Sequence, residues 1–300
     1  NTNSTECGVD SVATGNGGVA VGTGAVADGT DAVAIGSDDA GAAPATATGP
    51  STTAVGGESV ATGPGASAYG WQSMATGERA TALGHLATAQ GVRSVAVGEN
   101  ADAQTDNATA IGNESIANGI DALAVGDTAM AMGNSTSAIG GESVATGPGA
   151  SAFGWQALAT AERATAVGHL ATAQGVRSVA IGENADAQTD NATAIGNESI
   201  ANGIDALAVG DTAMAMGNST SAVGGESVAT GPGASAFGWQ AQANAERSTA
   251  LGHLATSDGF ASVAVGEAAA AQGRGGIAIG GNTDGGAFGA LATDDAGIAL

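Results

Sequence analysis

The chain has 300 residues, of which 52 are glycine and only 3% are aromatic, so it offers too few large side chains for a conventional thick core. Six arginines and no lysine stand against 29 acidic residues, and the net charge of −23 repels phosphate backbones and anionic lipid surfaces. We therefore expect thin layers built mostly of alanine, and no nucleic-acid partner.

The first segment, residues 1–36, carries a seven-residue glycine period at Gly8, Gly15, Gly22, Gly29 and Gly36. Cys7 precedes this pattern, and a single cysteine forms no internal disulfide, so we interpret it as an incidental or intermolecular thiol. The segment lacks a charged and then apolar signal sequence, which predicts a mature or excised fragment. No run of 18 apolar residues occurs, so any membrane anchor is expected outside this chain.

The segment 37–48 interrupts the period, because Gly49 follows Gly36 one position earlier than two regular steps would place it. The residue before Gly36 is the apolar Ile35 and the residue before Gly49 is the polar Thr48, and these two kinds alternate from step to step along the chain. Only one step of the pattern therefore separates them. We predict a looped-out insertion of six residues here, since a shift of one residue would exchange the two faces of each strand.

From residue 49 to residue 280, every seventh position is glycine in 30 of 34 cases, and the residue two before it is alanine in 33 of 34. The exceptions to glycine are Thr105, Ala161, Thr189 and Ala245. The residue just before each glycine is alternately apolar and polar, and Met132 and Met216 are the departures in the polar column. The true repeat is therefore a 14-residue unit made of two such steps.

Each half of this repeat indicates a short strand followed by a polar turn, as in Ser94 to Val97 and then Gly98. Alternation places Ser94 and Ala96 on one face of the strand and Val95 and Val97 on the other. Two strands and two turns make one coil, and parallel pairing stacks the coils into a solenoid with alanine inside.

The apolar column would lie on the outside of every coil and would be an aggregation hazard if exposed. A closed symmetric oligomer covers such a stripe, although the pattern does not fix the number of subunits. The predicted interface residues are Val55, Tyr69, Leu83, Val97, Ile111, Val125, Ile139, Phe153, Val167, Ile181, Ile195, Val209, Val223, Phe237, Leu251, Val265 and Ile279.

A longer repeat overlies the coils, since residues 56–139 and 140–223 are two copies of one 84-residue unit and differ at seven positions. A third, truncated copy starts at Gly224. After Gly280 the phase of the pattern is lost, and we predict a C-terminal cap or transition segment over residues 281–300.

These repeats resemble the YadA-like head of the trimeric autotransporter adhesins, whose motif SVAxGxxAxAxG is matched from Ser94 to Ala103. Ser178 to Gly182 begins a second instance, and the resemblance covers about residues 8 to 280. It implies an all-β, left-handed parallel β-roll that forms a homotrimer about the apolar strand. It also implies a bacterial cell-surface location, with the chain held outside the outer membrane by a stalk and an anchor elsewhere.

The strongest catalytic candidate is the set Glu78, Arg79 and His85, with copies at Glu162, Arg163, His169 and at Glu246, Arg247, His253. Residues seven apart lie on opposite turns of a coil, so Glu78 and His85 should not meet. Residues 14 apart stack, so His85 should lie between Trp71 and Glu99 in a packing ladder. We therefore expect no catalytic site.

Two further groups suggest ligands. Exposed tryptophans often anchor binding surfaces, but we interpret Trp71, Trp155 and Trp239 as packing at a subunit seam. Carboxylates and amides could suggest calcium, but the chain lacks the GGxGxD repeat apart from an echo at residues 280–284, so we expect solvated turns and no cofactor. The residues considered for calcium are Asp102, Asp106, Asn107, Asp186, Asp190 and Asn191.

Three functions remain open. Attachment to host extracellular matrix, to host cell-surface proteins or to other bacteria is the leading hypothesis. A passive spacer within a larger adhesin is the second. Ice binding through a threonine ladder is the third, and it is disfavoured because Gln90, Gln104 and Asn118 break the ladder.

Overall fold

The computed structural model describes residues 3–37, 43–282 and 289–300. The chain divides into two compact units, Asn1–Gly149 and Ala150–Leu300. In the described residues of both units every regular element is a β-strand. Each unit is a parallel β-solenoid, and the coils of each contain one longer and one shorter strand.

The first unit contains strands β1 to β20. Its odd-numbered strands are β1 (Thr5–Cys7), β3 (Val19–Val21), β5 (Val33–Ile35), β7 (Thr53–Val55), β9 (Ser67–Tyr69), β11 (Thr81–Leu83), β13 (Val95–Val97), β15 (Thr109–Ile111), β17 (Leu123–Val125) and β19 (Ser137–Ile139). Its even-numbered strands are β2 (Val12–Ala13), β4 (Val26–Ala27), β6 (Thr46–Ala47), β8 (Val60–Ala61), β10 (Met74–Ala75), β12 (Thr88–Ala89), β14 (Asp102–Ala103), β16 (Ile116–Ala117), β18 (Met130–Ala131) and β20 (Val144–Ala145).

The second unit contains strands β21 to β41. Its odd-numbered strands are β21 (Ser151–Phe153), β23 (Thr165–Val167), β25 (Val179–Ile181), β27 (Thr193–Ile195), β29 (Leu207–Val209), β31 (Ser221–Val223), β33 (Ser235–Phe237), β35 (Thr249–Leu251), β37 (Val263–Val265), β39 (Ile277–Ile279) and β41 (Ile298–Ala299). Its even-numbered strands are β22 (Leu158–Ala159), β24 (Thr172–Ala173), β26 (Asp186–Ala187), β28 (Ile200–Ala201), β30 (Met214–Ala215), β32 (Val228–Ala229), β34 (Gln242–Ala243), β36 (Thr256–Ser257), β38 (Ala270–Ala271) and β40 (Leu291–Ala292).

Strands of successive coils pair in parallel at a 14-residue offset, so that Val95 lies beside Thr109 and Val97 beside Ile111. Odd strands pair only with odd strands and even strands only with even strands among the described pairs, as in Asp102 beside Ile116. The predicted 14-residue coil is confirmed within each unit.

The interior of each coil is filled by four small residues, because only small side chains fit between two strands this close. In the coil that starts at β11 they are Ala82, Ala87, Ala89 and Ser94, and all four are fully buried. Most buried hydroxyls find an acceptor: in a later coil Ser115 Oγ donates to the carbonyl oxygen of Gly112 at 3.1 Å, whereas Ser94 Oγ has no partner. The predicted alternation of inward and outward residues is therefore confirmed.

Each coil has a first turn after its odd strand and a second turn after its even strand, and non-glycine residues with positive φ recur in both kinds of turn. In one coil these residues are Leu86 (φ 59°) and Arg93 (φ 58°). Backbone bonds between coils hold them in this uncommon conformation: Leu86 N–H donates to the carbonyl oxygen of Trp71 at 3.0 Å, and Arg93 N–H donates to that of Glu78 at 2.8 Å.

Two places depart from the regular offset. Val33 to Ile35 pair with Thr53 to Val55, an offset six residues longer than the regular one. The segment predicted as an insertion, 37–48, lies partly outside the described residues, and its boundaries stay a prediction. Near the C-terminus, Ala270 pairs with Leu291 and Ile277 with Ile298, an offset seven residues longer than the regular one.

The structure therefore differs from the expectation of a cap or transition over residues 281–300. Residues 291–292 and 298–299 continue the solenoid as strands β40 and β41. The phase in the sequence is lost because seven additional residues separate Ile279 from its continuation, as the longer offset shows. Residues 283–288 of this interval lie outside the described residues.

Candidate functional site

The apolar column lies on the outward face of the odd strands in both units. None of its members from Val55 to Ile279 is buried within the chain, and Leu83 and Leu251 are the most exposed, at 47% and 48%. In the first unit the column is in direct register from Val55 through Ile111 to Ile139. In the second unit it is in register from Phe153 to Ile279.

The column in the first unit extends further towards the N-terminus than the glycine pattern suggests. Cys7 pairs with Val21, Val21 with Ile35, and Ile35 with Val55. Cys7 therefore stands at the first position of the column, with an exposed, free thiol. The prediction that Cys7 lies before the regular pattern is wrong, because β1 already pairs at the regular 14-residue offset.

The even strands present a polar column on the opposite outward face. Thr62 and Gln90 are exposed, and Gln104 and Asn118 are half-buried. The departure Met132 is also half-buried, while Met216 is 37% exposed. The two outer faces of one coil therefore differ in chemistry although they share one interior.

A ladder of aromatic, imidazole and carboxylate groups runs along the first turns. The rings of Trp71 and His85 are stacked, with centroids 4.9 Å apart and planes 15° apart. His85 Nδ1 lies 3.3 Å from Glu99 Oε1. The arrangement recurs with nearly the same distances in the second unit, at Trp155, His169 and Glu183 and at Trp239, His253 and Glu267.

The tryptophan of this ladder is contacted from both neighbouring coils. His85 covers one face of Trp71, and Gly57 lies against it from the preceding coil, where an added Cβ would come within 3.3 Å of Trp71 Cδ1. Gly225 stands in the same relation to Trp239, at 3.1 Å. Trp71 is nevertheless 47% exposed. This geometry favours a packing role over a stacking platform for a planar ligand.

The catalytic candidates do not form one cluster. Glu78 lies in a second turn beside Arg79, whose Nε is 3.8 Å from Glu78 Oε1, and both side chains are more than half exposed. His85 lies in the following first turn and contacts Trp71 and Glu99. In the part of the chain that the structure describes, no hydrogen bond or ion pair joins Glu78 to His85.

The residues considered for calcium mainly bond to neighbouring coils. Asp106 Oδ1 accepts from the N–H of Val92 at 2.8 Å. Asn107 accepts from Arg93 Nε at 2.8 Å and donates to Asp121 at 2.9 Å. Asp190 and Asn191 repeat these bonds in the second unit. Among the described residues, no group of three His, Cys, Asp or Glu side chains is arranged to hold a metal ion.

Charged side chains are distributed unequally between the first turns and the second turns. All six arginines lie in second turns, and Arg247 and Arg274 stand over the Phe260 ring at 5.8 and 5.0 Å from its centroid. The first turns contain acids without any arginine, as at Glu99, Glu114 and Asp127. Sequence reasoning missed this division, although sorting the charged residues by turn would have found it.

Comparison with models of protein families shows to which family the chain belongs. The profile described as the YadA head domain repeat matches in a series of segments, many of which overlap, at residues 8–38, 47–73, 75–101, 89–115, 103–129, 124–150, 131–157, 145–171, 159–185, 173–199, 190–213, 208–234, 229–255 and 257–283. The chain belongs to this family. It is an adhesin-type head domain of the trimeric autotransporter class, as the resemblance implies. No curated protein matches the chain.

The head repeats account for the paired strands, the alanine interior and the outward apolar column of each unit. No helix among the described residues of this YadA-type head is long and apolar enough to cross a membrane.

Proposed function

We propose that the chain is the attachment head of a homotrimeric adhesin on the outer membrane of a bacterium, where it binds host extracellular matrix, host cells or other bacteria. Membership of the YadA head repeat family supports this proposal. The structural feature that carries it is the apolar column of the odd strands, from Val55 to Ile139 and from Phe153 to Ile279.

The column favours self-association because the removal of exposed apolar side chains from water, when a neighbouring subunit covers them, stabilises the assembly. Full burial of one such side chain contributes about 1.5–3 kcal/mol, and Leu83, Ile111 and Ile181 are each more than a third exposed. A closed ring covers the columns of all its members, whereas an open array leaves two uncovered. Covering the odd face leaves the outward face of the even strands free.

Sedimentation equilibrium of the purified chain tests the assembly. We expect a mass three times the chain mass of 27.9 kDa. A monomer mass would show that the outward column is not an interface.

Immobilised collagen, fibronectin and laminin and cultured cells test the attachment. We expect the trimer to bind at least one of these surfaces above the level seen with a blank surface. Failure on every surface, with the trimer intact, would favour the passive spacer. Thermal hysteresis at micromolar protein would instead favour ice binding.

A further inference from the structure

A groove of about 480 Å³ lies on the second unit, between the first turns and the even strands of three successive coils. One wall is formed by the positive-φ residues of the first turns, and the other by the first residues of strands β26, β28 and β30. Its volume lies in the range of about 300–1,000 Å³ that is usual for ligand clefts. The lining residues are Asn184, Asp186, Glu198, Ile200, Thr212 and Met214.

The groove combines an apolar surface with uncompensated negative charge. Ile200 and Met214 are half-buried and supply the apolar part. In the described residues no ion pair includes Asp186 or Glu198. Asp186 Oδ2 accepts one hydrogen bond, from Gln188 Nε2 at 2.6 Å, while its Oδ1 is buried within the chain and has no partner, so a ligand would meet this carboxylate at Oδ2. Every arginine lies in a second turn, so no arginine stands on this edge, and the nearest imidazole of the preceding coil, His169, is paired with Glu183.

We propose that this groove binds an extended peptide segment of a basic protein, in which an arginine or lysine stands next to an apolar side chain. The inference rests on the proposed attachment function and names the class of partner. A long cationic side chain lays its methylene stem on an apolar surface and keeps its charged end near water. Ile200 and Met214 match the stem, and the carboxylates of Asp186 and Glu198 match the charge by charge-assisted hydrogen bonding.

The internal repeat supplies a second copy of the same residues in the first unit. Asn100, Asp102, Glu114, Ile116, Thr128 and Met130 stand at the corresponding positions. Asp102 repeats the bond from Gln104 Nε2 at 2.6 Å and has the same unpartnered oxygen. Two weak sites in one chain bind a repetitive or multivalent partner far more strongly than one site does.

The third, truncated copy of the repeat has lost the acidic side of the groove. Ala268 and Ala270 replace the asparagine and the aspartate, and Ala270 still begins a regular strand, β38. The coil therefore accepts alanine at this position, which makes the aspartate-to-alanine change a safe test of the groove.

The test measures fluorescence anisotropy of a labelled, capped hexapeptide of alternating leucine and arginine, mixed with the full chain. We expect saturable binding that weakens as salt is raised. The double variant Asp102→Ala and Asp186→Ala should bind at least about tenfold more weakly, since one charge-assisted hydrogen bond contributes about that factor. Undiminished binding by this variant would overturn the proposal.

Matched controls separate the groove from general charge. Glu78→Ala with Glu162→Ala removes the same number of charges from second turns, and we expect its affinity to stay within about twofold of the parent chain. An equal loss in this control would overturn the proposal. So would equal binding of a serine–arginine hexapeptide, which lacks the apolar side chains, or of a leucine–glutamate hexapeptide, which reverses the charge.

The groove and the attachment function can fail separately. A head that attaches to matrix or cells but does not bind the leucine–arginine peptide would refute the groove alone. A head that binds the peptide with the expected dependence on Asp102 and Asp186, but attaches to no surface, would refute the attachment function and leave the groove in place.

Discussion

The odd and even strands enclose the same alanine interior, but their outward faces differ. Before each glycine the odd strands expose an apolar residue, as at Val97 and Ile111, whereas the even strands present Gln90 or Gln104 at the matching position. Interior packing therefore imposes no preference on the outer residue. The apolar choice on one face reflects an additional requirement, which we assign to contact with other subunits.

The largest effect on assembly is expected from Ile111→Asp, which places a charge on the apolar outward face of the odd strands. Ile111 lies in the middle of the first unit's column and is 39% exposed in the single chain. An aspartate buried there without a partner would cost several kcal/mol of association free energy. We expect sedimentation equilibrium to show dissociation of the trimer.

The control is Asn118→Asp, which adds the same charge to the even face of the next strand. Asp258 already occupies this column, so the coil tolerates an aspartate there. We expect an unchanged trimer mass. If Ile111→Asp also left the mass unchanged, the interface would lie on another face.

An intermediate effect is expected at the glycines, which also differ between the two kinds of strand. Gly84 follows an odd strand and has φ +142°, and an added Cβ would overlap the carbonyl oxygen of Gly98. Gly84→Ala should therefore cost about 1–3 kcal/mol and lower the thermal midpoint by several degrees.

Gly77→Ala is the matched change after an even strand. An added Cβ at Gly77 would also overlap a backbone carbonyl oxygen, that of Gly91, but Gly77 has no positive φ and the second copy of the repeat contains Ala161 at the same position. We expect a loss below about 1 kcal/mol in the same melting experiment. Equal losses at Gly77 and Gly84 would show that close contact between coils, and not the backbone conformation, decides which glycines can be replaced.

The smallest effect is expected in the ladder of the first turns. His85→Ala uncovers one face of Trp71, and we expect a red shift of part of the tryptophan emission with a loss of stability below about 1 kcal/mol. Glu99→Gln removes the charge from the partner of an exposed imidazole but leaves the stacked ring in place, so the emission should not move. A shift in the second variant would mean that Glu99 positions His85.

Much of this architecture could be predicted from the sequence, because one simple pattern repeats. Alternation alone placed Ala96 inside and Val97 outside, and the 14-residue period placed His85 beside Glu99. The assembly role of the apolar column stays a prediction, since it depends on contacts between chains.

Other features depend on contacts that the pattern does not encode. Leucine rarely adopts positive φ, and Leu86 does so because the neighbouring coil holds its N–H. The groove was missed because Asp186, Ile200 and Met214 come from three coils, and their order has no period shorter than the 84-residue repeat. The resumed solenoid at Leu291 was missed because seven additional residues hide its phase.

The 14-residue offset that recurs through each unit has a consequence for the gene. Every regular coil offers its neighbour the same register and the same small interior, so inserting or deleting whole coils gives both flanking coils an equivalent partner. Recombination between nearly identical copies can thus lengthen or shorten such a protein by whole coils without changing the fold of the coils on either side. Copying the whole 84-residue unit would in addition change the number of grooves per chain.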